Sequence, residues 1–109
     1  METRVKKNYS VVAHITQEDK QAFVALAAYE DLSSSAILRR LIKDVLRGNL
    51  SMDEVLKKTN GEVSGGRMEI RTRLTEKDKL EFFSVAEEWD YLPGTLARLL
   101  VGFYIQANQ

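Results

Sequence analysis

The chain has 109 residues, 16 Lys or Arg against 16 Asp or Glu, 44% hydrophobic residues and no cysteine. A single domain of this length buries roughly two-thirds of its unfolded surface, which excludes a large catalytic scaffold, and the lack of Cys excludes disulfides, thiolate metal sites and thiol nucleophiles. The zero net charge hides an alternation of sign: residues 36–48 carry +3 and 67–75 carry +2, whereas 17–35 carry −3 and 76–90 carry −4, so folding can gather a basic face on a neutral molecule.

The first nine residues form a basic arm without the apolar stretch of a secretory signal. Arg4, Lys6 and Lys7 within it suit sequence-independent contacts to phosphates and equally suit a solubilising tail. Residues 10–15 alternate, Val11, Ala13 and Ile15 to one side and Ser10, Val12 and His14 to the other, which is the period of a half-buried strand. Thr16 then caps a helix, termed helix A, with Asp19 three residues on, close to a capping box. Phe23, Leu26 and Ala27 make its apolar stripe, and it ends near Asp31. Ser33, Ser34 and Ser35 offer an N-cap for helix B, expected over about residues 36–47, with Ile37, Leu38, Leu41, Ile42, Val45 and Leu46 on its buried side.

Residues 48–67 read as a linker in which Ser51 caps a short helix through about Lys58. Its glycines lack the Gly-Lys-Ser/Thr ending of a phosphate-binding loop. Beyond it Met68, Ile70, Thr72 and Leu74 alternate with Glu69, Arg71 and Arg73, a second strand. Thr75 caps a second helix A, with Phe82, Val85, Ala86 and Trp89 as its stripe and an end near Asp90. Pro93 suits the first turn of a second helix B, expected over about 95–106. That helix carries Leu96, Leu99, Leu100, Val101, Phe103, Tyr104 and Ile105 with only Arg98 for charge. It should be buried more completely than its counterpart, and its apolar surface predicts self-association of two chains. The longest apolar run, Leu99 to Ile105, is far short of the ~20 residues that span a bilayer; a soluble, cytoplasmic protein with no membrane partner is expected.

The second half therefore repeats the first. At an offset of 59, residues 15–47 match 74–106 without a gap, with identities at Thr16/Thr75, Asp19/Asp78, Lys20/Lys79, Phe23/Phe82, Ala27/Ala86, Asp31/Asp90, Arg39/Arg98 and Leu41/Leu100. One strand alone leaves both edges unpaired, so each copy's strand needs the other. Antiparallel pairing gives a two-stranded ribbon over four interlocked helices, and such a ribbon fits the B-DNA major groove, about 12 Å wide.

The succession of strand, capped helix, Ser-rich turn and Arg-bearing second helix resembles the ribbon-helix-helix family, the fold of the Arc and MetJ repressors, present twice in one chain. The resemblance covers residues 10–47 and 69–106 and is similar to the tandem, TraY-type form of the family. It implies a mainly α fold with a short β ribbon, the two units forming an intramolecular pseudo-dimer: repeat 1 over 10–47, repeat 2 over 68–109, all one compact domain. It implies a sequence-specific double-stranded DNA-binding protein, acting as a transcriptional repressor or as an accessory factor in plasmid conjugation. Base contacts then fall to Ser10, Val12 and His14 from one strand and to Glu69, Arg71 and Arg73 from the other. Phosphates fall to the starts of the two B helices, at Ser33, Ser34 and Ser35 and at Gly94 and Thr95.

Arg71 and Arg73 suit bidentate contacts to guanine, Glu69 can only accept, as from cytosine N4, and Val12 suits a thymine methyl. Leu92 stands where the first copy has Ser33, so the second phosphate grip lacks that hydroxyl. The unlike strands imply an asymmetric target. Arg39 and Arg98 recur across the copies and are expected to pair with acidic residues at the helix interface. His14, the single histidine, has no companion ligand for a metal, the carboxylates are dispersed, and neither enzyme nor cofactor is expected. The alternative is a protein-interaction module that kept the fold and lost DNA binding, which the zero net charge, Glu69 and the apolar second helix B would suit.

Overall fold

Thr16, Ser33, Ser51 and Thr75 each accept a hydrogen bond of 3.1 Å from the backbone N–H three residues on, at Asp19, Ala36, Glu54 and Asp78. Each bond satisfies one of the donors that a helix start leaves unpaired. In the computed structural model, which describes residues 9–61 and 64–109, these caps open α1 (Gln17–Tyr29), α2 (Ser34–Leu46), α3 (Met52–Thr59) and α4 (Glu76–Glu88). A fifth helix, α5 (Pro93–Ala107), begins on Leu92 with no side-chain cap. Both B helices start earlier than their apolar periodicity implied. Ser33, the first of the three serines, is the cap, and Pro93 takes the first helical position, where a missing N–H costs nothing. Arg4, Lys6 and Lys7 lie outside the described residues.

The A helices stop by the same kind of turn. Asp31 and Asp90 adopt left-handed φ values of 57° and 61°. The next residues, Leu32 and Tyr91, donate back to the carbonyls of Ala27 and Ala86 at 2.9 and 2.8 Å. This is the Schellman closure, with Asp in the position where glycine is usual.

Two strands complete the fold, β1 (Ser10–Ile15) and β2 (Met68–Arg73), paired antiparallel. The architecture is thus mainly helical with one two-stranded sheet. Val11, Ala13 and Ile15 from β1 and Ile70 and Thr72 from β2 are buried beneath it. Below them lie Phe23 and Phe82 from the A helices and Ile37, Leu38, Ile42, Leu96, Leu99 and Leu100 from the B helices, all essentially inaccessible. The packing crosses between halves: α2 lies on β2, and α5 lies on β1 and α1.

One expectation meets a different arrangement. Trp89 ends outside the core because it is the C-cap of α4, already leaving the helical path toward Asp90. The nearly all-round apolar α5 is covered by α3, whose Met52, Val55 and Thr59 are buried as α3 packs on it. α5 is accordingly buried more completely than α2, as its composition implied. The strip left along this side is Phe103, Gln106 and Ala107, which faces Glu54, Lys57 and Lys58 across a shallow groove. Among the described residues no helix is long and apolar enough to cross a membrane.

One polar cluster ties α1, α2 and α5 together. Tyr104 donates to Glu30 Oε2 at 2.7 Å and Arg40 Nη2 donates to the same oxygen at 2.9 Å. The guanidinium also stands 5.9 Å from the Tyr104 ring centroid. The Tyr104 hydroxyl first, and then Arg40, hold the Glu30 carboxyl below its ordinary value. A carboxyl held low in the native state adds stability above its unfolded pKa and loses it as pH falls through the native value. The melting-temperature gap between the protein and Glu30→Gln should therefore be widest near neutral pH and close in acid; a gap indifferent to pH would contradict this role.

Candidate nucleic-acid interface

The register of the ribbon decides which side chains share its outer face. Ser10 pairs with Arg73, Val12 with Arg71 and His14 with Glu69. Because side chains alternate along a strand, these six project from the face opposite the core. His14, Glu69, Arg71 and Arg73 are exposed, and Ser10 and Val12 are half-buried. All six residues expected at the base-reading surface are thus brought together in three cross-strand couples. Tyr9 extends the ladder by accepting from the Leu74 N–H at 3.1 Å, and its hydroxyl donates to Glu76 at 3.3 Å.

The charge on this face is uneven. Arg71 Nη2 lies 3.2 Å from Glu69 Oε1, with side chains 54% and 47% exposed. Arg73 makes no ion pair among the described residues. One end of the face therefore presents an uncommitted cation beside Ser10, and the other presents His14 opposite a carboxylate already engaged by Arg71.

Helix starts supply the second set of expected contacts. The first-turn amides of α2, at Ser34 and Ser35, and those of α5, at Gly94 and Thr95, have no intrahelical acceptor. Aligned peptide dipoles add positive potential there. Ser33 already accepts the cap bond from Ala36, which leaves its hydroxyl proton to donate. The start of α5 abuts the ribbon: a Cβ on Gly94 would stand 3.3 Å from the Val12 carbonyl oxygen, a contact that the missing side chain keeps free of strain. Leu92, at the position of Ser33, is 75% exposed.

Arg39 and Arg98 do not form the expected interface pairs among the described residues. Arg39 points to solvent. Arg98 lies under the linker, its Nη1 only 2.8 Å from where a Cβ on Gly65 would stand, and its Nε is buried with no hydrogen-bond partner. The neighbouring Gly66 runs against the end of β1, where a Cβ would collide with the Ile15 carbonyl.

Two features of the surface lay outside the sequence expectations. The Glu69–Arg71 pair is one; its signal was an opposite-charge pair two residues apart on one strand face. The other is an apolar patch on α4 and the turn after it, where Leu80, Phe83 and Leu92 are exposed, with Glu87, Asp90, Tyr91 and Pro93 beside Phe83 and Leu92. Among the described residues no three of His, Asp and Glu gather where they could hold a metal ion. Comparison with family models, with curated proteins and with solved structures returns no match, so the geometry carries the functional argument.

Proposed function

We propose that the chain is a sequence-specific double-stranded DNA-binding protein that inserts its β1–β2 ribbon in the major groove. It is built as a single-chain pseudo-dimer of two ribbon-helix-helix units, related by the offset of 59. The observation that carries the reading is the outward row of Ser10, Val12, His14, Glu69, Arg71 and Arg73. A ribbon of two strands matches the groove in width, and this one offers guanidinium donors and a carboxylate acceptor suited to base edges.

The register supports the pseudo-dimer. Val12 and Arg71 are 59 residues apart and face each other, so the local two-fold axis of the ribbon passes between equivalent positions. Ser34 and Ser35 on one side and Gly94 and Thr95 on the other would clamp phosphates, with Ser33 adding a hydroxyl in the first unit alone. Because Val12, Ser10 and His14 differ chemically from Arg71, Glu69 and Arg73, the two halves read different bases and the target is asymmetric. Such a target suits a transcriptional repressor at a directional operator, or an accessory factor that orients a plasmid-processing complex.

The exposed patch of Leu80, Phe83 and Leu92 favours a second reading, a protein-interaction module of the same fold. Leu80 and Leu92 are 64% and 75% exposed, and apolar exposure rimmed by polar residues is how protein-binding surfaces present themselves.

Selection from a random duplex DNA pool at near-physiological salt separates the two. The protein should enrich a short asymmetric motif, and Arg71→Ala with Arg73→Ala should abolish the enrichment while circular dichroism stays unchanged, since both side chains are exposed. No enrichment by the intact protein would support the interaction module instead. Self-association is proposed over the strip of α5 that α3 leaves open, at Phe103, Gln106 and Ala107. Sedimentation equilibrium at micromolar concentration should then give the mass of a dimer, and a monomer mass would dismiss that contact.

A further inference from the structure

We infer that Glu69 is a specificity-determining residue that commits Arg71, at the centre of the ribbon, to a guanine with a neighbouring cytosine in duplex DNA. This rests on the DNA-reading proposal above and deepens it. Glu69 and Arg71 stand two apart on the same outward face, joined by a 3.2 Å ion pair whose members are both about half exposed. Pairs this open to water contribute little to folding, so the stability of the fold does not account for it. Its consequence is orientation: one of the five guanidinium N–H groups is held by the carboxylate, and the remaining four keep the fork that matches O6 and N7 of guanine.

The carboxylate is left with Oε2 and with no donor of its own. In the major groove guanine and thymine present acceptors that repel it, and adenine sets its N7 acceptor beside its amino group. Cytosine alone offers an amino donor, at N4, with no major-groove acceptor on its own ring. A wrong base leaves an unpaired negative charge inside a groove lined by phosphates, so Glu69 discriminates by rejection as well as by attraction. Nothing else at the centre shares this task. The residue across from Arg71 is Val12, whose side chain offers no hydrogen bond, and Arg73, one couple away, makes no ion pair among the described residues.

The test uses duplexes recovered by the intact protein from the random pool, the same duplexes with each central base pair replaced in turn, and a random-sequence duplex. Glu69→Ala should lose about tenfold of the discrimination at one central cytosine and should bind the random-sequence duplex severalfold tighter, having shed a negative charge. Glu69→Gln should move the preference at that position from cytosine to adenine, because an amide pairs with adenine N6 and N7. In an Arg71→Ala background both changes should shrink, since the carboxylate no longer has a partner that places it. Glu69 variants that recover the same motif with unchanged discrimination would overturn the role of Glu69 and leave ribbon reading intact. Failure of the intact protein to recover any motif, or recovery of the same motif by Arg71→Ala with Arg73→Ala, would overturn ribbon reading itself.

Discussion

Two six-residue strands separated in sequence by three helices can satisfy their backbone groups only through each other, and the remainder of the molecule follows from that pairing. Among the described residues neither strand has a second neighbour, and an isolated strand is not stable in water. The pairing buries Val11, Ala13 and Ile15 with Ile70 and Thr72 on one side, which gives α2 and α5 a floor to pack on. The same pairing forces Ser10, Val12, His14, Glu69, Arg71 and Arg73 to the other side. A slip of one residue in β2 would turn Glu69, Arg71 and Arg73 toward the core, and a slip in β1 would turn Ser10 and His14 there. Stability and the composition of the outer face are therefore fixed by one register.

The parts legible in the sequence are those set by local rules. Caps at Thr16, Ser33, Ser51 and Thr75 depend on a side chain reaching an amide three residues on. The faces of both strands depend on a period of two. The parts not legible are those decided at long range. No local pattern says that α3 folds back over α5, so the layer that covers α5 from within its own chain was not legible. Trp89 continues the helical spacing of Phe82, Val85 and Ala86 yet falls outside the core, because the Schellman turn at Asp90 redirects the chain. Arg98 matches Arg39 in sequence, but its surroundings come from the linker at Gly65, which no local pattern brings to it. The six outward residues were foreseeable individually; the coupling of Glu69 to Arg71 was not drawn from them, although both sit on one face.

The two halves match at the caps Thr16 and Thr75, at the turns Asp31 and Asp90 and at core positions such as Phe23 and Phe82, and differ elsewhere. Glu30, Arg40 and Tyr104 form a polar tie; the positions related to them by the offset of 59 are Trp89, Leu99 and Val45, which are apolar. Ser33 corresponds to the exposed Leu92, and the outward residues of β1 differ at every position from those of β2. The two halves thus share cap and turn positions while their outward strand residues differ. For the proposed DNA-binding role this is the useful combination, because a near-two-fold frame aligns with the duplex while unlike strands give the bound protein a direction.

The claim on which this account rests is that the outer face of the ribbon is the reading surface. Backbone and side-chain NMR shifts recorded while a duplex carrying the recovered motif is titrated in would test it most directly. The account predicts that the largest changes fall on Ser10, Val12, His14, Glu69, Arg71 and Arg73, with smaller ones at the amides of Ser34, Ser35, Gly94 and Thr95. Changes centred instead on Leu80, Phe83 and Leu92, with the ribbon undisturbed, would contradict it.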